Sequence, residues 1–172
     1  MKKKYNIAFT PLSEAEIFVQ RAASFASIAD TYHLGKKSLP HVTLRHFFAD
    51  EADIEGLWKQ ACESLAPHRL ILTFQQFNEY TNDGMLFWLS MLPDHRDTLE
   101  DMHRIVAKVV GAPADPNYDS HLTLANTRKP YKKLLQTGAA KIQPITAPFI
   151  LTLGDCDKAG QMTQIIFQTA SN

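Results

Sequence analysis

The chain has no surplus of charge, few cysteines and no long apolar run. Its 18 Lys and Arg are offset by 18 Asp and Glu, so the formal net charge is zero. That excludes a global field for long nucleic acid, and any phosphate-binding patch must be local. The two cysteines, Cys62 and Cys156, lie far apart and fit no metal-ligand spacing. They read as reduced thiols rather than a disulfide frame or a zinc site. No apolar stretch approaches transmembrane length, so no membrane association is expected. Met1-Lys2-Lys3-Lys4 has the charge of a signal-peptide n-region, but Tyr5-Asn6-Ile7-Ala8-Phe9 is too short and too polar for the apolar segment. A cytoplasmic protein is expected. Flexible linkers and low-complexity tracts are also missing.

What is present is an ordinary globular composition, 45% hydrophobic and 21% charged over 172 residues. This suits one domain, 1–172, of one body or two packed lobes. Tyr5 to Phe9 reads as a strand stopped by Thr10-Pro11. Ser13 and Glu16 form a capping-box pattern that predicts a helix reaching His33-Leu34-Gly35, with an apolar stripe of Ile17, Ala22, Phe25, Ile28 and Ala29. A second helix is predicted over Ala52 to Leu65. Strands over Arg69 to Tyr80 and Met85 to Leu92 flank Thr81-Asn82-Asp83-Gly84, a hairpin signal. A third helix follows Pro93-Asp94 to about Val110, with Leu99, Met102, Ile105, Val106 and Val109 inward. Pro130 to Leu135 reads as a short helix closed by Gly138, and Phe149 to Asp157 and Gln161 to Gln168 as a last hairpin.

One pattern occurs twice. Pro40-His41-Val42-Thr43-Leu44 comes back as Ser120-His121-Leu122-Thr123-Leu124, 80 residues later (121 − 41). Both copies read as strands, on which alternate side chains share a face. His41 and Thr43 therefore point one way and Val42 and Leu44 the other, and His121 and Thr123 repeat this. The aliphatic pair suits a core; the polar pair suits a cleft. The order of elements around each motif is also similar, which predicts two similar lobes meeting at a shared cleft, with one His-x-Thr pair from each.

Two facing histidines suit acid–base chemistry near neutral pH, one neutral and one charged, because the unperturbed pKa lies near ~6.5. Each threonine sits roughly 6–7 Å further along the same face. Its hydroxyl can donate to the oxygens of a phosphoryl group held between the histidines. No clustered carboxylates or thiolates accompany the motifs, so no metal and no cofactor are expected.

The two motifs resemble those of the 2H phosphoesterase superfamily, which includes LigT-like proteins, the so-called 2′,5′ RNA ligases and cyclic nucleotide phosphodiesterases. The resemblance implies an α+β fold, bilobal, with two pseudo-symmetric lobes, each with an antiparallel sheet and helices, around a central cleft. It also implies a metal-independent phosphodiesterase with His41 and His121 as acid and base. Its substrate would be a 2′,3′-cyclic phosphate of a nucleotide or RNA end. An RNA 2′,5′-ligase, or a nucleotide- or RNA-binding module without turnover, are the alternatives. Members often carry Arg two residues beyond the second motif's leucine, where this chain has Asn126. Arg128 is the nearest substitute, although strict alternation puts it on the face opposite His121. Arg45 shares the face of His41 and Thr43 and is the stronger phosphate candidate. Tyr118 could stack on a base, as could Phe47. Lys36, Lys37, Lys129, Lys132 and Lys133 flank the motifs and read mainly as solvated charges, and His46 as a packed histidine. A monomer is expected.

Overall fold

A computed structural model describes residues 1–35, 37–81, 83–129 and 143–170. Lys36, Asn82, Lys132, Lys133 and the helix expected over Pro130 to Leu135 therefore lie outside the described residues. Among the described residues the elements run β1 Lys3–Pro11, α1 Ala15–Ala23, β2 Val42–Ala49, a single 3-10 turn Glu51–Asp53, α2 Ile54–Ser64, β3 Arg69–Thr81, β4 Phe87–Pro93, α3 Arg96–Val109, β5 Leu122–Thr127, β6 Ile145–Cys156 and β7 Met162–Gln168. No described helix is long and apolar enough to cross a membrane.

The fold is α+β around a seven-stranded antiparallel sheet in the order β1-β2-β5-β4-β3-β6-β7. β1 also pairs with β6, so the pairings of six strands form a closed cycle, and β7 pairs with the later part of β6, Thr152 to Cys156. The expectation of a separate sheet for each lobe thus meets one continuous hydrogen-bonded sheet. The two motif strands touch at a single pair, Val42 opposite Leu122. In that register Thr43 faces His121 and Thr123 faces His41 across the seam, so all four share one face.

Alternation along β2 and β5 explains the core. Val42, Leu44, Leu122 and Leu124 are each no more than 1% exposed, on the face away from the polar pairs. Beneath them Phe18 of α1 meets Phe74 and Phe149 edge-on, at 5.2 and 5.6 Å between ring centroids. Truncating such a ring to Ala costs about 3–5 kcal/mol. Helix α3 packs against β2 and α2, and α1 packs against β5. Each helix thus presses a motif strand of the other half of the chain.

Both motif strands carry a β-bulge at the same motif position. Along β2, Ala8 pairs with Thr43 and Ile7 with Arg45, leaving Leu44 extra. Along β5, Ser90 pairs with Thr123 and Leu89 with Ala125, leaving Leu124 extra. A bulge shifts the alternation and re-aims the side chains after it. In β2 the result is that consecutive residues Arg45 and His46 both reach the cleft.

Three expectations about the helices need correction. The Ser13 capping box does not form. Leu12 is still bonded to Pro148 of β6, and α1 begins after Glu14, which sits at φ 63 without a side-chain cap. The helix also ends at Ala23 rather than near Gly35. Residues 30–34 are drawn onto the free edge of β5 instead, through Asp30 N–H to Asn126 O, Asn126 N–H to Tyr32 O and Leu34 N–H to Leu124 O, at 2.7–3.0 Å. An unpaired strand edge wins these backbone groups over helix continuation. In α3 the inward face holds His103, 1% exposed, whereas Ile105 is 37% exposed. The hairpins form as expected, with Gly84 at φ 69 and Gly160 at φ 90 supplying the left-handed turn residues.

Candidate active site

A cleft of about 450 Å³ opens over the β2–β5 seam. Its floor is His41, Thr43, His121 and Thr123. One wall is Arg45 and His46 with the β6–β7 turn; the other comes from the β3–β4 hairpin, with Asn78, Trp88 and Ser90. The loop between α3 and β5 adds Asn117, Tyr118 and Asp119.

The two histidines are held alike. Each sits one residue ahead of its strand and turns its ring back on its own loop. His41 Nδ1–H donates to Leu39 O and His121 Nδ1–H to Asp119 O, both at 2.7 Å. A proton committed to a backbone carbonyl fixes the neutral tautomer, so each Nε2 carries the free lone pair. Neither Nε2 has a hydrogen-bond partner among the described residues, and both rings line the cleft. A ring in this state takes a proton at Nε2 as a base and returns it from Nε2 as an acid.

Their surroundings differ. His41 is 6% exposed, while His121 is only half-buried. Burial pushes the His41 pKa down to about 4, and the nearby His121 pushes the same way, against its bond to Leu39 O and the charge of Asp157. The buried His41 ring is thus neutral at pH 7, with its Nε2 lone pair open to the cleft.

Thr43 is aimed by a residue outside the motif. Asn6 of β1 donates Nδ2–H to Thr43 Oγ1 at 2.9 Å, so the hydroxyl accepts from the core and keeps its own proton for the cleft. Arg45 lies on the wall with its Nε buried and without a hydrogen-bond partner among the described residues. A buried, unmatched guanidinium N–H in a cleft is a donor waiting for an anion. The second motif has no such group, because the bulge puts buried Ala125 at the place matching Arg45.

Tyr118 does line the cleft, but its polar end is engaged. Its hydroxyl donates to Thr43 O at 2.7 Å, and its ring stacks on His103 at 4.2 Å between centroids and 6° between planes. Burial lifts its pKa above the ordinary tyrosine range. Arg128 corrects the sequence reading. It is exposed, bonded to Asp30 at 2.6 Å, and lies outside the cleft lining, because β5 ends at Thr127 and the chain has already turned away. Asn126 is buried and serves the fold: Oδ1 accepts Thr31 N–H and Tyr32 N–H at 3.0 and 2.8 Å, and Nδ2 donates to Thr31 Oγ1 at 2.9 Å. Lys37 and Lys129 are exposed and off the lining, and Phe47 is buried against Tyr5.

Among the cleft residues beyond the motif pattern are His46, His103 and Gln161. His46 donates Nε2–H to Gly160 O at 2.8 Å, and burial first of all pushes its pKa down to about 4. His103 donates Nδ1–H to Leu44 O at 2.6 Å and accepts Asp115 N–H at 2.9 Å, bracing the bulge. Gln161 comes from the β6–β7 turn. None of these has a local sequence signal, since each reaches the cleft through long-range pairing. No three His, Cys, Asp or Glu side chains among the described residues are grouped to hold a metal ion.

Comparison with known proteins agrees with this geometry. The model of the 2′-5′ RNA ligase superfamily matches residues 11–161. No curated protein matches the chain by sequence. Among solved structures, Escherichia coli LigT with 3′-AMP superposes with a TM-score of 0.63 at 15% identity, covering 99% of this chain and 97% of that one. A structure described as a phosphoesterase gives 0.64 at 13% identity over 99% and 98%. Usb1 of Kluyveromyces marxianus gives 0.53 at 14% identity over 95% of each chain. At these identities the superpositions speak for a common fold, and the family match covers most of the chain. The chain belongs to the 2′-5′ RNA ligase superfamily, the group of 2H phosphoesterases that its paired His-x-Thr motifs resemble.

Proposed function

We propose that the chain is a phosphodiesterase that hydrolyses the 2′,3′-cyclic phosphate of a nucleotide or RNA end without a metal ion. The observation that carries this is the matched pair of bonds from Nδ1 of His41 and His121 to the carbonyls two residues back. They leave two Nε2 atoms in one cleft, one ring buried and neutral, the other more exposed.

In the reaction the phosphoryl group sits between the rings. His41 Nε2 takes a proton from a water as its oxygen bonds to phosphorus. The bond from phosphorus to one ribose oxygen breaks, and that oxygen keeps the electron pair and takes the proton from His121 Nε2. The product is a nucleoside monophosphate. Thr43 and Thr123 hydroxyls and the Arg45 guanidinium donate to the phosphoryl oxygens as charge develops there. The LigT structure with 3′-AMP and a Usb1 structure with uridine monophosphate carry ligands of that product class.

Two related halves would explain the matched sites. Exchanging β1 with β4, β2 with β5 and β3 with β6 turns the order β6-β1-β2-β5-β4-β3 into itself read backwards. We read the chain as a single domain of two such halves, monomeric and cytoplasmic. The family's name favours ligation as a second reading: a ribose 5′-hydroxyl in place of the water would give its proton to His41 as its oxygen bonds to phosphorus, while the leaving ribose oxygen takes the proton from His121. The lack of a second arginine among the described cleft residues favours, more weakly, a binding module.

The test is a panel of 2′,3′-cyclic mononucleotides, short RNAs ending in a cyclic phosphate, and RNA 5′-hydroxyl ends, incubated with EDTA. Conversion of a cyclic phosphate to a monophosphate is expected. Joined RNA products would favour ligation. Turnover that appears only when a divalent ion is added would overturn the metal-independent mechanism.

A further inference from the structure

The turn between β6 and β7 brings to the cleft a group that neither motif supplies. Gln161 is 6% exposed, lines the cleft, and holds its Oε1 buried with no hydrogen-bond partner among the described residues. Its backbone is fully engaged: the N–H donates to Asp157 Oδ1 at 2.8 Å and the carbonyl accepts Asp157 N–H at 3.0 Å. The turn itself is fastened to the first motif. Gly160 O accepts from His46, and Leu39 N–H donates to Met162 O at 2.8 Å. Gly160 is needed there, since its φ is 90 and an added Cβ would stand 3.1 Å from the His46 ring.

Leu39 joins this turn to the histidine. Its carbonyl accepts from His41 Nδ1, and its N–H holds the residue after Gln161. One residue therefore fixes both the His41 ring and the start of β7, so Gln161 and His41 stand on the same side of the seam. A buried carbonyl oxygen without a donor is costly unless a bound group supplies one. The phosphoryl group cannot, because its oxygens only accept. On the base's side of an in-line displacement the partner with a proton to spare is the nucleophile: a water gives one proton to His41 and still has another.

We propose that Gln161 Oε1 holds the nucleophilic water against His41, accepting one of its protons while His41 Nε2 takes the other. This rests on the phosphodiesterase reading. With both O–H groups held, a lone pair of the water's oxygen is aimed at phosphorus, and the rest of the step is as described. The amide makes and breaks no covalent bond; it orients.

Methanol tests this, because it has one O–H where water has two. If methanol attacks, its O–H proton goes to His41, its oxygen bonds to phosphorus, and the leaving ribose oxygen takes the proton from His121, giving a nucleoside methyl phosphodiester. That route has no second proton for Gln161 to hold. Wild type, Gln161→Met and Gln161→Glu are given 2′,3′-cyclic AMP in buffer containing methanol, and both products are quantified. In Gln161→Met, kcat for hydrolysis is expected to fall about 10- to 100-fold, the scale of a misplaced reactant, with KM nearly unchanged. Methanolysis should fall much less, so the product ratio shifts to the methyl ester. Gln161→Glu keeps an acceptor oxygen and should keep the wild-type ratio. The ratio comes from one preparation and does not depend on how much of it is folded. A wild-type product ratio in Gln161→Met, or a change in KM alone, would overturn the proposal while the phosphodiesterase reading stands. No turnover of any cyclic phosphate by the wild type would instead remove that reading, and this one with it.

Discussion

The hydroxyl of Tyr118 donates to the carbonyl of Thr43 at 2.7 Å, tying the loop that delivers His121 to the strand that carries His41. His103, stacked on the same ring, grips the next carbonyl, that of Leu44. The two side chains together brace the bulge that turns Arg45 and His46 toward the cleft. Removing the hydroxyl in Tyr118→Phe leaves Thr43 O without this donor. The expected cost is about 1–3 kcal/mol in urea unfolding. KM should change little, because the hydroxyl is not free to touch a ligand. A large rise in KM with unchanged stability would mean that the hydroxyl contacts substrate instead.

His41→Ala and His121→Ala should each lower kcat roughly 10²–10⁴-fold, the scale for one general acid or base. The double variant should lose less than the product of the singles, because the two act on one transition state. Binding of a nucleoside monophosphate should hardly weaken, since Arg45 and the two threonines remain. Wild-type turnover in both single variants would end the two-histidine mechanism.

Stability should fall with acid in a window set by His41 and His46. Burial lowers both to about 4 in the folded protein, against about 6.5 in the unfolded chain. Between these values the unfolded state binds more protons, so stability is complete above pH 6.5 and is lost as pH drops toward 4. The loss is of the order of 3 kcal/mol for each group. Urea midpoints at pH 7, 5.5 and 4 measure it, and His46→Gln should flatten the slope. The acid limb of kcat/KM should likewise lie near pH 4 rather than 6.5. A limb at 6.5 would mean that a histidine other than buried His41 is the base.

Arg45 and Arg128 should separate cleanly. Arg45→Met removes the one unmatched guanidinium on the cleft wall. A charge-assisted hydrogen bond is worth about 1.5–3 kcal/mol, so inhibition by inorganic phosphate should weaken about 10- to 150-fold. Arg128→Ala breaks only the exposed, solvent-screened pair with Asp30 and should leave kinetics alone. Equal effects from the two would contradict the placement of the phosphate.

How far the sequence speaks depends on whether the cause is local. The polar and aliphatic faces of both motif strands follow from the two-residue strand period, and the hairpin glycines from their need for positive φ. The bulges do not announce themselves, because Leu44 and Leu124 continue an ordinary strand alternation and only the partner strands make them extra. The end of α1 was decided by a strand edge almost 100 residues away, at Asn126. His103 reads as a polar interruption of an apolar stripe until the Leu44 carbonyl is found opposite it. Asn6 reaches Thr43 from β1 and Gln161 reaches the cleft from the β6–β7 turn, and nothing near them in the chain points to a phosphate.

Asn126 occupies the place where the family often carries arginine, which makes it the sharpest test of what this chain does differently. Its side chain makes three hydrogen bonds to Thr31 and Tyr32, and its backbone two more to Asp30 and Tyr32. It thus fastens residues 30–32 to the outer edge of β5. The side chain is fully buried and absent from the cleft lining. Asn126→Ala strands two backbone N–H groups, so unfolding free energy should drop by about 2–4 kcal/mol. Measured well below the melting temperature, kcat and KM should stay within about twofold of wild type, as expected where no transition-state contact is lost. Asn126→Asp keeps the acceptor for both N–H groups and should recover part of the stability. Asn126→Arg, although it restores the family's residue, must bury a guanidinium where two N–H donors already point, and should destabilise more than Ala. If Asn126→Arg instead folds well and lowers KM for a cyclic phosphate, the strand can turn this position to the cleft. The second half of the site would then be able to bind phosphate in the way proposed for the first.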